Sequence, residues 1–292
     1  MADVILAPLR GVTIRCFRHV FASALRACGF TEAVTPFITA NAGFDPLKDR
    51  ELRRGGNEMA GEPLRLTPQF IGKDPRTLRT CLERIRSAGY ETADLNCGCP
   101  FPMVRNKGRG SGILRTPDVL RQMMEVGCEV MGEGKFSIKA RLGIERTDEL
   151  LALMPLINVF PLRFLTVHAR TARQMYEGAC DWAAFDEIVK VSQIPVVRNG
   201  DVRLGEAEGA TPVMIGRDFI RSLGNRPNIV SDLERYAQAS QKELSGDTSV
   251  LGRLKELVAY WKDSPRWHRA WEVAKLARSV SEFMLAARIA DK

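Results

Sequence analysis

The chemically most distinctive stretch of the chain is a close cysteine pair in a basic, glycine-rich setting. It runs Asp94-Leu95-Asn96-Cys97-Gly98-Cys99-Pro100, then Val104-Arg105-Asn106-Lys107-Gly108-Arg109-Gly110-Ser111-Gly112. No acidic residue falls between Asp94 and Asp118, whereas Arg105, Lys107, Arg109 and Arg115 all do. A thiol among cations suits a proton donor or a nucleophile, and a mobile basic loop suits a phosphate backbone. The plainer reading of this segment alone is a buried cysteine beside a solvated loop. Zinc is disfavoured, because one intervening residue is too few for a ligand pair and no second pair follows. With only three histidines in the chain (His19, His168, His268), no metal site is expected.

Short β-branched runs alternating with amphipathic stretches must position these groups. The strand candidates span residues 4–6, 33–37, 66–71, 92–96, 136–139, 164–168, 195–198 and 213–215. Asp74-Pro75 offers an N-cap and a first-turn proline for a helix that Gly89 closes. Thr116-Pro117 repeats the opening signal, and Thr13 to Gly29 brackets another amphipathic stretch. Apolar strands alternating with helices point to a (β/α)₈ barrel. An open doubly wound sheet is second, because Ala7-Pro8-Leu9-Arg10-Gly11 follows the first strand where a G-x-G-x-x-G turn would be needed. The stretch after Asn199 leaves room for only a short helix or none. From about residue 225 the strand pattern gives way to helical periodicity: Leu251, Leu254, Leu257, Val258 and Trp261 share one face, and Ser264-Pro265 opens a further helix. The expected organisation is a barrel over 1–224 and a small all-α bundle over 225–292.

In such a barrel the active site lies at the carboxyl ends of the strands. Gln69, Asn96, Lys139, His168, Asn199 and Arg217 all stand there. One polar residue at a strand end is ordinary; six converging on one mouth are not. Asn199-Gly200-Asp201 and Gly216-Arg217 end the last two strands, where phosphate-binding barrels grip their anion. Lys139 would place a cation beside a cofactor ring and Gln69 an amide at its edge. Flavin mononucleotide (FMN) is the cofactor that fits this set best.

The chain has 292 residues and a net charge of +8. Residues 220–292 carry 13 Lys and Arg against 9 Asp and Glu, so the excess is concentrated in the tail, where Trp261, Trp267 and Trp271 also lie. Basic and aromatic enrichment fits an RNA surface; on composition alone, core tryptophans with solvated charges are the simpler account. The 7 cysteines form an odd set without a secretory signal, so reduced thiols are expected. The longest uncharged apolar stretch, residues 150–162, falls short of the about 20 residues that a membrane span needs. A cytoplasmic protein is expected, with the monomer as default state.

These residues resemble the tRNA-dihydrouridine synthase family. The carriers are Ala7-Pro8-Leu9-Arg10-Gly11-Val12-Thr13 with Phe17-Arg18, Leu95-Asn96-Cys97-Gly98-Cys99-Pro100, Lys139-Ala140-Arg141-Leu142-Gly143, His168-Ala169-Arg170-Thr171 with Gln174, Tyr176 and Gly178, Asn199-Gly200-Asp201, and Met214-Ile215-Gly216-Arg217. They follow the family's order across nearly the whole barrel. Arg253-Leu254-Lys255 with Tyr260 looks like an Arg-x-Lys helix of the bacterial subfamily C. The resemblance implies FMN contacts at Ala7, Pro8, Leu9, Gln69, Lys139, His168, Asn199, Gly200, Asp201, Gly216 and Arg217. It implies a general acid at Cys99, a uracil pocket lined by Asn96, Arg170 and Tyr176, and a hold on the tRNA body by Arg253 and Lys255. In the family's chemistry NADPH reduces the flavin, which passes hydride to C6 of a tRNA uracil while the thiol protonates C5. The target must leave its stack, so an unstacked D-loop uridine is the expected substrate, position 16 by the likeness to subfamily C. The chain departs from the family pattern at Leu9 (usually Met), Ile14 (usually Asp) and Asp218 (usually small), and the segment between Asn199 and Met214 is short. The competing readings are an FMN barrel acting on a free pyrimidine, in the manner of a dihydroorotate dehydrogenase, and an RNA-binding relative without catalysis.

Overall fold

The computed structural model describes residues 3–52, 64–206 and 211–291. Ten parallel strand segments form one curled sheet: β1 (Val4–Leu6), β2 (Phe30–Val34), β3 (Ile38–Thr39), β4 (Arg65–Thr67), β5 (Gln69–Ile71), β6 (Ala93–Cys97), β7 (Phe136–Gly143), β8 (Leu165–Thr171), β9 (Val196–Asn199) and β10 (Val213–Ile215). Their order is β3-β5-β6-β7-β8-β9-β10-β1-β2-β4. β2 and β3 are two halves of one stave, and β4 and β5 of the next, because β2 pairs with β4 and β3 with β5. The ends of the sheet therefore meet, and eight staves close a barrel without an edge.

The interruptions fall at prolines. Pro36 lies in the middle of the expected strand 33–37, which the structure splits, and Pro68 splits the expected strand 66–71. Proline has no N–H for the ladder. Side chains and neighbouring backbone bridge the gap instead: Gln69 N donates to Thr35 Oγ1 at 3.0 Å, and Asp94 N donates to the Pro68 carbonyl at 2.9 Å. β7 and β8 run four and three residues further than the apolar runs suggest, which carries Arg141 and Arg170 into the mouth.

Helices cover the outside. Asp74 caps the helix Pro75–Ser87 by accepting from Thr77 N at 3.1 Å, and Gly89 ends it at φ +86°. The helix Pro117–Met131 starts where expected, but the Thr116 side chain does not cap it. The stretch from Thr13 to Gly29 holds two short helices, Arg15–Val20 and Ala22–Ala27, rather than one. After β9 the described residues hold only a 3₁₀ turn, Leu204–Glu206, and residues 207–210 of that short segment lie outside the described residues.

Ile5, Val34, Phe164, Val197 and Met214 fill the barrel interior. A larger apolar cluster runs without a break from the barrel's outer layer into the tail helices Ile229–Glu243, Asp247–Val258, Pro265–Ala274 and Val280–Ala287. Phe17 and Phe21 meet Tyr236 across that seam, with ring centroids 6.4 and 6.3 Å apart. Trp261 and Trp267 are buried. Their indole N–H groups donate to the Ile220 and Gly224 carbonyls at 2.6 and 2.8 Å. These two tryptophans are core and offer no stacking face, whereas Trp271 is half-buried. Away from the mouth, Glu32 is buried and receives Arg163, Arg65 and Thr67. Burial alone would raise its pKa, but Arg163, Thr67 and Arg65 outweigh that and hold the carboxyl below its ordinary range.

Candidate active site

The inner faces of β5, β6 and β7 set the first part of the mouth. Gln69 is in register with Asp94, and Asp94 with Ser137; one step higher, Asn96 faces Lys139. Residues two apart on a strand share a face, so Asp94 and Asn96 stack on the inner wall. Gln69 Nε2 donates to Asp94 Oδ1 at 2.7 Å. Ser137 Oγ donates to Asp94 Oδ2 at 2.7 Å. Asn96 Nδ2 donates to Gln69 Oε1 at 2.8 Å. The Asn96 carbonyl oxygen then accepts the backbone N–H groups of Gly98 and Cys99, at 3.1 and 2.8 Å. Burial pushes the Asp94 carboxyl up to about 7, while Ser137, Gln69 and Lys139 pull the other way.

The segment following Cys99 is not an open loop. It folds as a short helix, Pro102–Arg105, and a 3₁₀ turn, Gly110–Arg115, with Gly110, Ser111 and Gly112 buried. Ser111 donates to the Cys99 carbonyl through both N–H, at 3.1 Å, and Oγ, at 2.9 Å. A Cβ on Gly110, whose φ is +57°, would stand 2.7 Å from the Cys99 Cβ. Arg105, Lys107 and Arg109 are carried on this turn. Cys99 is 6% exposed. Burial raises its pKa, against the pull of Arg141, Arg10 and Lys139. The electropositive surroundings therefore do not make a thiolate; the group is a thiol that keeps its proton at neutral pH, suited to an acid rather than a nucleophile.

Cations crowd the mouth from β7 round to the helix after β10. Lys139 Nζ donates to Asn199 Oδ1 at 2.8 Å, and Asn199 Nδ2 donates to the Met214 carbonyl at 2.7 Å. Arg141 donates to the Gly98 and Thr171 carbonyls at 3.0 and 2.9 Å. Arg170 bonds the Gly178 carbonyl at 2.7 Å and pairs with Asp201, and its Nη1 donates to His168 Nε2 at 3.2 Å. Arg217 reaches the other Asp201 oxygen at 2.7 Å. The Tyr176 ring lies between two guanidiniums, 5.3 Å from Arg141 and 5.2 Å from Arg217. Burial and then Arg141 bring Lys139 down to about 7. Burial, followed by Arg141, Lys139, Arg170 and Arg217, holds His168 well below its ordinary value, so its imidazole is neutral and free to accept. Burial would raise Asp201, but Arg170 and Arg217 keep its carboxyl low.

A cavity of about 400 Å³ opens beyond these groups, lined by Arg170, Tyr176, Asp201, Arg203, Arg217 and Arg221. Gly200 forms part of its wall at φ +137°, and a Cβ there would stand 2.6 Å from Cys180 Sγ and 3.3 Å from the His168 ring. Asp218 lines this cavity too; it accepts from Leu204 N at 2.9 Å and ties the turn after β9 to the helix Arg217–Leu223. On the near side, Thr13 Oγ1 accepts from Leu9 N at 2.8 Å and donates to the Ala7 carbonyl at 3.0 Å, which fixes the Ala7-Pro8-Leu9 turn. Ala7 and Leu9 pack against Gly216, within 3.0 and 3.3 Å of where its Cβ would be. Arg170, Arg203, Arg217 and Arg221 outnumber the carboxylates of Asp201 and Asp218 around this cavity and make it a site for an anion, with Lys139, Gln69 and Asn96 on the strands beside it.

All the strand-end residues singled out from the sequence thus converge on one mouth. Two expected tail residues stand elsewhere. Arg253 lies over Gly11, beside the turn after β1, and donates to Glu256 at 3.0 Å. Lys255 Nζ donates to the Ala277 carbonyl at 2.6 Å and ties two tail helices together. Arg141, Asp94, Arg203 and Arg221 were not singled out. Arg141 was within reach, because it follows Lys139 at the strand period of two. All seven cysteines are free. Among the described residues, no cluster of His, Cys, Asp and Glu could hold a metal ion, and no helix is long and apolar enough to cross a membrane.

Residues 5–257 match the family model described as dihydrouridine synthase. A tRNA-dihydrouridine(16) synthase of Ralstonia nicotianae is 29% identical over 233 residues, covering 75% of this chain and 70% of the relative. One of Salmonella typhimurium is 27% identical over 286 residues, 88% of this chain and 89% of the relative. A tRNA-dihydrouridine synthase B of Pseudomonas aeruginosa is 26% identical over 291 residues, 94% and 84% of the two chains. Among solved structures, an old yellow enzyme homologue from Zymomonas mobilis is similar with a TM-score of 0.53 at 12% identity, over 75% of this chain and 85% of that one. Morphinone reductase in complex with tetrahydroNAD gives 0.50 at 12% identity, over 75% and 84%. At such identities the likeness is one of barrel fold.

Proposed function

The chain belongs to the dihydrouridine synthase family, and from that premise we propose that it reduces the C5–C6 double bond of a D-loop uridine in tRNA, with FMN as bound cofactor and NADPH as reductant. The observation that carries this reading is the pairing of a protonated, buried thiol at Cys99 with an anion site on the other side of the same mouth. FMN, when bound, supplies hydride chemistry. The residues fit it: Arg217, with Gly200, Asp201 and Gly216 around it, and Arg203 and Arg221 beyond, would hold a phosphate. Lys139, His168, Asn199 and Gln69 would border the ring, and Ala7, Pro8 and Leu9 would cover it.

Cys99 would give its proton to C5 of the base. Its place is held by Asn96 from below and Ser111 from behind. Asn96, Arg170 and Tyr176 would line the uracil pocket. Tyr176, 44% exposed beside Arg141 and Arg217, would offer a ring on which an extruded base can stack. Residues 1–224 would perform the reduction and residues 225–292 would present the RNA, in a cytoplasmic monomer, with Arg253 beside the turn after β1 as a direct contact and Lys255 holding the tail helices together for it. Position 16 is favoured over other D-loop uridines because the Ralstonia and Salmonella relatives are tRNA-dihydrouridine(16) synthases.

Purified protein is expected to be yellow, to be bleached by NADPH, and to form dihydrouridine in unmodified tRNA at one position readable by sequencing. Colourless protein that FMN cannot reconstitute would overturn the cofactor. Turnover of free uracil with none of tRNA would favour the free-pyrimidine reading, and bound RNA without turnover the non-catalytic one.

A further inference from the structure

Asp94 is fully buried one step below the mouth, and none of the roles proposed above uses it. Its two oxygens are both taken, by Gln69 Nε2 and Ser137 Oγ, each at 2.7 Å. Once ionised, the carboxylate only accepts, and the Gln69 amide then turns its nitrogen toward Asp94 and its oxygen away. That oxygen receives Asn96 Nδ2 at 2.8 Å. Asn96 must then present its own oxygen to the N–H groups of Gly98 and Cys99, at 3.1 and 2.8 Å. With Asp94 ionised each link has a single sense, the one that the two backbone donors at the far end also require. Reversing either amide would set nitrogen against nitrogen, or an amide nitrogen against two backbone donors, beside Gln69 and Asp94 that are fully buried.

We infer that Asp94 is a positioning residue: it sets the direction of a hydrogen-bond relay through Gln69 and Asn96 that fixes the backbone carrying Cys99. One buried carboxylate thereby orients an amide assigned to the cofactor, an amide assigned to the base, and the acid. The role assigned to Cys99 rests on the function proposed above, but the relay itself needs no cofactor.

The test follows alkylation of Cys99 by iodoacetamide from pH 6 to 10, read on the Cys99 peptide by mass spectrometry, in the full-length protein. Asp94→Ala leaves Gln69 without its acceptor and is expected to speed Cys99 alkylation roughly tenfold or more, the scale of losing a hydrogen bond to a charged group. Gln69→Leu breaks the next link and should give a similar factor. The double variant should go no further, because both changes cut one chain. Asp94→Asn keeps an accepting oxygen and should return the rate to within about threefold of the parent. Unchanged alkylation in Asp94→Ala and Gln69→Leu, with cooperative unfolding retained, refutes the relay, as do fully additive effects. If Asp94→Ala does not fold, Gln69→Leu and Asp94→Asn carry the test. The expected pattern in a protein that holds no flavin and modifies no tRNA would uphold the relay and remove the proposed function.

Discussion

Replacing Lys139 by methionine tests the electrostatics of the mouth. Removal from water, and then the neighbouring Arg141, bring its ammonium from an ordinary 10.5 to about 7. At that value about half the molecules carry the cation at pH 7 and roughly one in a hundred at pH 9. A ligand that binds only the cationic form pays for the missing fraction, so its dissociation constant should rise up to ~50-fold between those pH values. The second ionisation of a phosphate ester lies near 6 and is nearly complete across that window. His168 is already neutral there. Asp94 titrates near 7 as well, so Asp94→Asn serves as the control. FMN fluorescence quenching by apoprotein between pH 7 and 9 gives the curve. Lys139→Met should bind more weakly at pH 7 and flatten the curve. An equally steep loss in Lys139→Met would show that another group titrates. The same depressed value penalises the ligand-free fold fully below pH 7, and the penalty fades as pH rises toward 10.5. Through this group, apoprotein should gain stability over that range, and Lys139→Met should remove the gain in a denaturant series.

Cys99→Ala should keep bound flavin and its bleaching by NADPH but lose most dihydrouridine formation; full turnover measured by tRNA sequencing would remove Cys99 as the acid. Gly200→Ala forces a side chain onto φ +137° and to within 2.6 Å of Cys180 Sγ, so the purified variant should retain little flavin. Adding Cys180→Ala restores room but not the backbone angle, and should recover flavin content only in part. Glu32→Gln, far from the mouth, should cost about 3 kcal/mol in urea unfolding by leaving Arg163 unmatched, without changing flavin affinity. Because the folded pKa of Glu32 is depressed, its contribution is full above the unfolded value near 4.5. It is lost as pH falls through the folded one, so parent and variant should converge in stability in acid.

The positions of all eight staves were legible, because buried parallel strands read as short β-branched runs. Their ends were less so. Arg141 and Arg170 interrupt those runs, yet both lie on strands, since a charged residue is tolerated where the barrel mouth offers it partners. The residues Gln69, Asn96, Lys139, His168, Asn199 and Arg217 could be chosen from strand ends alone. The relay from Asp94 could not, because which residue faces which depends on register, and register is set by closure of the whole barrel. Arg203 and Arg221 come from a turn and a helix whose placement around the cavity is tertiary. The tail's tryptophans were less legible: the depth of Trp261 and Trp267 follows from an apolar face that also includes Leu254 and Leu257, while Trp271 is only half-buried.

The indoles of Trp261 and Trp267 are bonded to carbonyls at the far end of the helix Arg217–Leu223, whose first residue is the arginine that grips Asp201. Tail and mouth thus share one rigid lever rather than a linker. Whatever free energy a partner of the tail delivers to that lever, a ligand in the mouth must return in equal measure. Hydrogen exchange along residues 217–224 is where cross-talk between the two ends should be sought, and the factor by which each ligand changes the other's affinity would be the same from either side.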